Sequence, residues 1–252
     1  MALPEHTILE HCPLCNGTKH KPWREKDGYH VVECEDCSFI FIQDYPSADY
    51  LRKFYAPTYQ PEGDTFIPAG GFLRKLKYLA FSKWIASKFP KDKPIKTFEI
   101  GCGQGDFLSS VKDNPRFDAR GVDYAEAPLA YAQSRGLNAQ KGDIQSMGIE
   151  DDTFDLVVAL HVLEHVHDLN QTLGEIYRIL RPGGMLFAIV PSVTHFKAKI
   201  AGQSWKYLGP PGHMWYLSPQ TFAKFVTKAG FSEILHCSHF YHRAHVRILA
   251  KK

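Results

Sequence analysis

No stretch of the sequence stays apolar for the roughly 18 residues that a membrane-crossing helix needs. The chain also does not open with a basic segment leading into a long apolar one, so neither a membrane span nor an export signal is expected. An excess of one charge is missing too: 30 Lys and Arg against 27 Asp and Glu leave +3. That balance demands no nucleic-acid or lipid partner. The main glycine-rich turn has neither the G-x-x-x-x-G-K-[ST] nor the G-x-G-x-x-G spacing, which disfavours a phosphate-loop NTPase and a nicotinamide enzyme. Cysteine is sparse. There are six, and four of them fall into two C-x-x-C pairs.

Those pairs organise the N-terminal stretch. Cys12-Pro13-Leu14-Cys15 is followed after 18 residues by Cys34-Glu35-Asp36-Cys37, a spacing typical of four-thiolate zinc modules. Each knuckle brings two thiolates to one side, and four thiolates close a tetrahedral shell around Zn²⁺. The expectation is a zinc ribbon over 1–44 with structural zinc on Cys12, Cys15, Cys34 and Cys37. A closed shell leaves no open position for catalysis. Cysteines kept for a metal rather than for disulfides point to the cytoplasm. His11, His20 and His30 read as surface positions. Residues 45–94 read as a connector and candidate substrate lid. A short helix opens near Ser47 and ends before Pro57, and a turn-rich loop runs from Gly63 to Gly71. A basic helix over 72–89 then buries Leu73, Leu76, Ala80 and Trp84.

From Ile95 onward, strand-like and helix-like segments alternate. This predicts an α/β fold with a doubly wound, mostly parallel sheet. The apolar run Ile95–Ile100 is stopped by Gly101, Gly103 and Gly105, and Asp106 opens a helix. Glycines let a backbone approach a ligand closely, and a helix N-terminus offers unpaired N–H groups. Asp123 closes the next strand 22 residues after Gly101. An acid at that distance accepts hydrogen bonds from ribose hydroxyls; capping the next helix is the alternative. Asp143 follows a third strand, at the carboxyl edge where ligands lie in such sheets. Strands over 153–159 and 185–190 and a final pair over 231–238 and 242–250 bring the count to seven. The histidines of that pair, His236, His239, His242 and His245, read as exposed.

The motifs stand in a telling order: Glu99-Ile100-Gly101-Cys102-Gly103-Gln104-Gly105, Asp123, Gly142-Asp143-Ile144, Asp155-Leu156-Val157 and Leu180-Arg181-Pro182-Gly183-Gly184. Over residues 95–252 the chain resembles class I S-adenosylmethionine-dependent methyltransferases. It is similar in particular to ubiquinone-biosynthesis-type methylases and to bacterial relatives with an N-terminal zinc ribbon, some acting on sugars or other small metabolites. The resemblance implies a Rossmann-like methyltransferase domain and S-adenosylmethionine as cofactor. It implies that Gly101, Gly103 and Gly105 cradle the methionine part, with Glu99 anchoring that end. Asp123 would hold the ribose, Tyr124, Asp143 and Ile144 would flank adenine, and His161 would line the site near the sulfonium.

Methyl transfer to a hydroxyl calls for alignment and a general base. His161, His165 and His213 are the catalytic candidates, with Glu164 and His167 beside them. His161, Glu164 and His165 stand at offsets that share a helix face. Three roles stay open for them: a base with its orienting carboxylate, a structural turn, or a divalent-cation site. Ubiquinone-type relatives hold such a cation with Glu and His, but here His161 replaces one Glu. Ala159-Leu160-His161-Val162 also stands where aminopurine methylases carry Asn/Asp-Pro-Pro-aromatic. Residues 194–217, rich in aromatics, Gly and Pro, read as a lid insertion or a packing loop. The expected acceptor is a small molecule methylated at oxygen. RNA methylation and a non-catalytic zinc- and cofactor-binding module are the alternatives, and homodimerisation is left open.

Overall fold

The computed structural model describes residues 6–59, 71–240 and 243–252. The expected loop over 63–70 and His242 lie outside the described residues. The N-terminal part forms β1 (His6–Ile8), β2 (His20–Lys26), β3 (Tyr29–Cys34), β4 (Ile40–Ile42) and β5 (Asp44–Pro46). Asp27 and Gly28 both take positive φ between β2 and β3, the two-residue hairpin that Asp-Gly favours. β1 pairs with β5 to close the stretch on itself.

Two helices follow, α1 (Ala48–Tyr59) and α2 (Phe72–Ala86). Both differ from expectation. α1 runs through Pro57, which stands in the last turn, where a missing N–H removes a single helical hydrogen bond. α2 ends at Ala86, and of its expected apolar face Trp84 packs inward while the leucines do not. Leu73 is 81% exposed and Leu76 is also exposed, while Tyr78, Phe81, Ser82 and Ile85 are buried. Phe81 and Trp84 pack edge-on against Phe187, at 5.6 and 5.8 Å. These large rings set the rotation of the helix over the weaker pull of its leucines.

The main unit comprises β6 (Ile95–Ile100), α3 (Asp106–Val111), β7 (Phe117–Asp123), α4 (Glu126–Ser134) and β8 (Ala139–Lys141). It continues with β9 (Phe154–Leu160), α5 (Leu169–Ile179), β10 (Leu180–Pro191) and α6 (Phe196–Ala201). β11 (Trp215–Tyr216), α7 (Pro219–Lys228), β12 (Glu233–Phe240) and β13 (Arg243–Lys251) complete it. Ser218 caps α7 and Asp168 caps α5 through their side chains. β10 begins earlier than expected: Leu180 already pairs with β9, and a register shift absorbs Arg181 to Gly184.

The seven-stranded sheet runs β12-β13-β10-β9-β6-β7-β8. β6 to β10 are mutually parallel and β13 enters antiparallel to β10. Alternate residues of one strand feed opposite faces. Val157 and Ala159 join the core under α5 and α7, whereas Leu156 and Val158 join the core under α2 and α3. Burial on both faces is why these strands read as near-continuous apolar runs. Strand order reverses beside β6, and the crevice at that switch point is where ligands bind in such sheets.

The segment 194–217 makes a connection the sequence does not announce. β11 pairs with β4, so the ribbon sheet reads β11-β4-β3-β2. Phe39 packs edge-on against Phe225 of α7 at 4.8 Å and stacks near Trp215. Phe39 and Phe41 are fully buried, each worth about 1.5–3 kcal/mol. No helix among the described residues is long and apolar enough to cross a membrane.

Candidate functional site

The glycine turn after β6 is shaped by local sterics. Gly101, Gly103 and Gly105 all take positive φ, a conformation costly for other residues. At Gly101 a Cβ would also sit 2.8 Å from the Val162 side chain, whereas at Gly103 it would meet only Asp123, at 4.0 Å. Gly103 is therefore open on its ligand side. Asp123, at the end of β7, accepts the Gly103 N–H at 2.7 Å through one carboxylate oxygen and the Ala125 N–H at 2.8 Å through the other. Burial raises its pKa, and the two amides only partly oppose this. It ties the residue before α4 to the glycine turn, and α4 itself has no side-chain cap.

Glu99 is 3% exposed and its Oε2 has no partner among the described residues. Desolvation, with the charges of Asp106 and Asp123 added, holds its pKa well above the ordinary range. Burial disfavours the charged form of such an acid, which a cation beside its unpaired oxygen would restore. Beyond Asp123, Tyr124 is 62% exposed and its hydroxyl donates to Asp143. Asp143 also accepts the Ser146 N–H at 2.6 Å. Burial alone would raise its pKa, but these hydrogen bonds outweigh it and lower it. Ile144 is buried beneath.

On the other side of the turn, His161 closes β9 with a positive φ of 59°, its N–H bonded to Ile189. Its Nδ1 lies 3.6 Å from Glu164 Oε1, and His165 Nε2 lies 3.9 Å from the same oxygen. Glu164 is buried. Burial would raise its pKa, but the hydrogen bond from His161 and the three neighbouring imidazoles outweigh that and lower it. His213 reaches in from the lid, its ring edge-on to His165 at 4.4 Å. His165 Nδ1 donates to Gly212 O at 2.8 Å and His213 Nδ1 donates to Tyr207 O at 2.7 Å. Desolvation and the nearby His165 push His213 down to about 4.

The four ribbon cysteines also converge. Their sulfurs all lie within 4.8 Å of one another, with Cys12–Cys37 and Cys15–Cys34 at 3.6 Å. The residue after each knuckle, Asn16 and Ser38, takes positive φ. Asn170 and Lys228, from α5 and α7, hold Pro13 O between the first two cysteines.

A methyltransferase-domain family model matches residues 72–236, most of the chain. The chain belongs to the class I S-adenosylmethionine-dependent methyltransferases. It is similar to a ubiquinone biosynthesis O-methyltransferase of Pseudomonas fluorescens, 33% identical over 99 residues, covering 36% of this chain and 42% of that one. It is also similar to a sterol 24-C-methyltransferase of Schizosaccharomyces pombe, 30% identical over 182 residues, covering 68% of this chain and 44% of that one. The matches span about two fifths of the curated relatives' own lengths. An S-adenosylmethionine-dependent methyltransferase of Thermotoga maritima shares the fold, with a TM-score of 0.58 and 21% identity over 81% of this chain and 99% of that one.

Seen as a methyltransferase, the chain brings the expected cofactor-side residues, Glu99, Gly101, Gly103, Gly105, Asp123, Tyr124, Asp143 and Ile144, to one edge of the sheet. It gathers His161, His165 and His213 around Glu164, and leaves His167 aside on Pro46 O. Two members of the cluster were missed. The Tyr207 hydroxyl and His245 Nε2 share a hydrogen bond of 2.6 Å, and the His245 ring meets His161 at 4.5 Å. His245 is 5% exposed, not an exposed strand position as expected; His236 and His239 are half-buried, bonded to Ser238 and Ser192. The strand direction was the usable signal. β13 runs antiparallel, so its first residues reach the carboxyl edge, where His245 pairs with Pro191 of β10.

Proposed function

We propose that the protein transfers a methyl group from S-adenosylmethionine to a hydroxyl of a small-molecule acceptor. The observation that carries the reading is a histidine oriented by a buried, ionised carboxylate directly beside the glycine turn: His161 on Glu164, with its neighbour Val162 against Gly101. The crevice fits the cofactor. Unpaired Glu99 Oε2 suits the ammonium of its methionine part, the open face of Gly103 suits close backbone approach, and Asp123 keeps lone pairs for ribose hydroxyls. Tyr124 and Ile144 stand where adenine would lie. Bound S-adenosylmethionine supplies an electrophilic methyl carbon. His161 accepts the proton that the acceptor hydroxyl gives up, and Glu164 stabilises the imidazolium that forms. His213, pushed to about 4, is a poor base near neutral pH and serves to close the site from the lid.

The four cysteines fit structural zinc, since a tetrahedral ion with bonds of about 2.3 Å sets its sulfurs about 3.8 Å apart. We keep the division into a ribbon over 1–44, a connector over 45–94 and a methyltransferase domain over 95–252, and place the protein in the cytoplasm, where thiolates persist. The RNA alternative gains little from α2: Arg74 pairs with Asp106, and Lys77 lies 4.4 Å over the Tyr78 ring.

A second reading concerns the same histidines. Ligand atoms of Glu164, His165 and His213 lie within 4.8 Å of one another, and both imidazoles donate Nδ1–H to carbonyls, which leaves each Nε2 with a lone pair. Hydrogen bonds from the far side of a ring orient a metal ligand in this way. A divalent cation there would polarise the acceptor oxygen.

The test is calorimetric titration of the zinc-loaded protein with S-adenosylmethionine, followed by a radiolabelled methyl screen over hydroxylated acceptors with and without added Mg²⁺. Failure of the folded protein to bind S-adenosylmethionine sinks the leading reading. Turnover that appears only with Mg²⁺ selects the cation.

A further inference from the structure

A cavity of about 380 Å³ opens beside the histidine cluster, lined by Lys197, Trp205, Lys206, Tyr207, Arg243 and His245. Three of these side chains are cationic, and no carboxylate lines it among the described residues. Lys206 and Arg243 form no ion pair among the described residues. Positive charge is concentrated rather than balanced here. Burial and then the Arg243 charge push Lys77 down to about 8, and the same arginine acts on His245. Like charges gathered around one opening are the signature of a site for an anion. Trp205 is buried at the wall, and its indole N–H has no partner among the described residues.

The position of the cavity gives the charge a purpose. Its inner wall is the Tyr207–His245 pair, and the far side of His245 touches His161. A molecule held by Lys206 and Arg243 therefore lies against the Tyr207–His245 pair, one ring removed from His161. Arg243 offers a planar fork for two oxygens, and the lysines offer point charges. Trp205 and Tyr207 supply an apolar wall for the part between.

We propose that this cavity is the anion subsite of the methyl acceptor, and that the acceptor carries a phosphate or carboxylate held by Lys206 and Arg243. The proposal rests on the methyltransferase reading. It restricts the substrate class to small anionic hydroxyl compounds and disfavours neutral lipids.

The experiment titrates the full-length, zinc-loaded protein with inorganic pyrophosphate and, separately, malonate at matched ionic strength. Calorimetry and tryptophan fluorescence are followed, and S-adenosylmethionine affinity is measured on the same samples. Saturable binding of either anion is expected. Lys206→Gln or Arg243→Gln should each weaken it about tenfold, the double variant should abolish it, and S-adenosylmethionine affinity should stay within about twofold. Tighter pyrophosphate binding selects a phosphate acceptor, and tighter malonate binding a carboxylate. Absence of anion binding while S-adenosylmethionine still binds overturns the proposal alone, as does unchanged anion binding in the folded double variant. Loss of S-adenosylmethionine binding in the wild type overturns the methyltransferase reading instead.

Discussion

Two clusters of metal-competent side chains are built in opposite ways. The cysteine cluster draws its four ligands from two short knuckles, each with its own left-handed residue, Asn16 or Ser38. The histidine cluster draws on 161–165 after β9, on 207–213 in the lid and on 245 in the antiparallel strand. The first is local coordination geometry. The second exists only when the lid, β9 and β13 have packed together. A local cluster is robust and closed; a convergent one is adjustable, and that suits an acceptor site better than a structural one.

The two are also wired together. Ile42 N–H of the ribbon donates to Met214 O at 3.1 Å, and Met214 N–H donates to Glu164 O at 3.0 Å. Met214 thus ties β4 to the backbone of Glu164, whose carboxylate lies under the histidines. The hardest test of the contrast is therefore to break the local cluster and watch the distant one. In Cys12→Ser/Cys34→Ser, zinc content measured by mass spectrometry should fall from one per chain to none, and the melting temperature should drop by about 10 °C or more. Methyl transfer should fall at least about tenfold, because small misplacement of reacting groups is costly. Full activity in the zinc-free variant would show that the Met214 link carries nothing.

His161→Ala is the converse test inside the convergent cluster. Its kcat should fall about a hundredfold or more, while S-adenosylmethionine affinity changes by less than about threefold. Equal loss in binding and turnover would make His161 a cofactor residue instead. Asp123→Ala should do the reverse. Removing a carboxylate that holds two backbone amides should weaken S-adenosylmethionine about 10- to 100-fold by calorimetry, with zinc content untouched.

A last effect, read in stability rather than turnover, concerns pH. Burial, then the His161 charge, depress His245 from 6.5 to about 3. A depressed histidine favours the neutral folded state. Its contribution is fully present above the unfolded pKa near 6.5 and is lost as pH falls toward 3. Thermal melts from pH 7 down to about 4 should thus show less acid destabilisation in His245→Gln than in the wild type, by up to about 3 kcal/mol. Identical pH slopes would mean that His245 is hydrated rather than buried.

The cysteine knuckles, the glycine turn and Asp123 were all readable along the chain, because short-range geometry dictates each. A thiolate pair needs a C-x-x-C knuckle, and Gly101 must be glycine because its φ is positive and Val162 crowds its Cβ position. The strand alternation likewise foretold a sheet buried on both faces. Periodicity failed where large rings competed with leucines, as on α2, and where a residue's exposure depended on a distant segment, as at His245.

The sequence by itself determined the two-knuckle thiolate site, the α/β order of elements and the glycine turn after β6, since neighbours a few residues apart encode these. Only the tertiary structure decided that β11 completes the ribbon sheet, that Tyr207 and His245 join His161, and that Lys206 and Arg243 face one cavity. Those groups are separated by long stretches of chain, and packing brings them together without any local pattern to mark them.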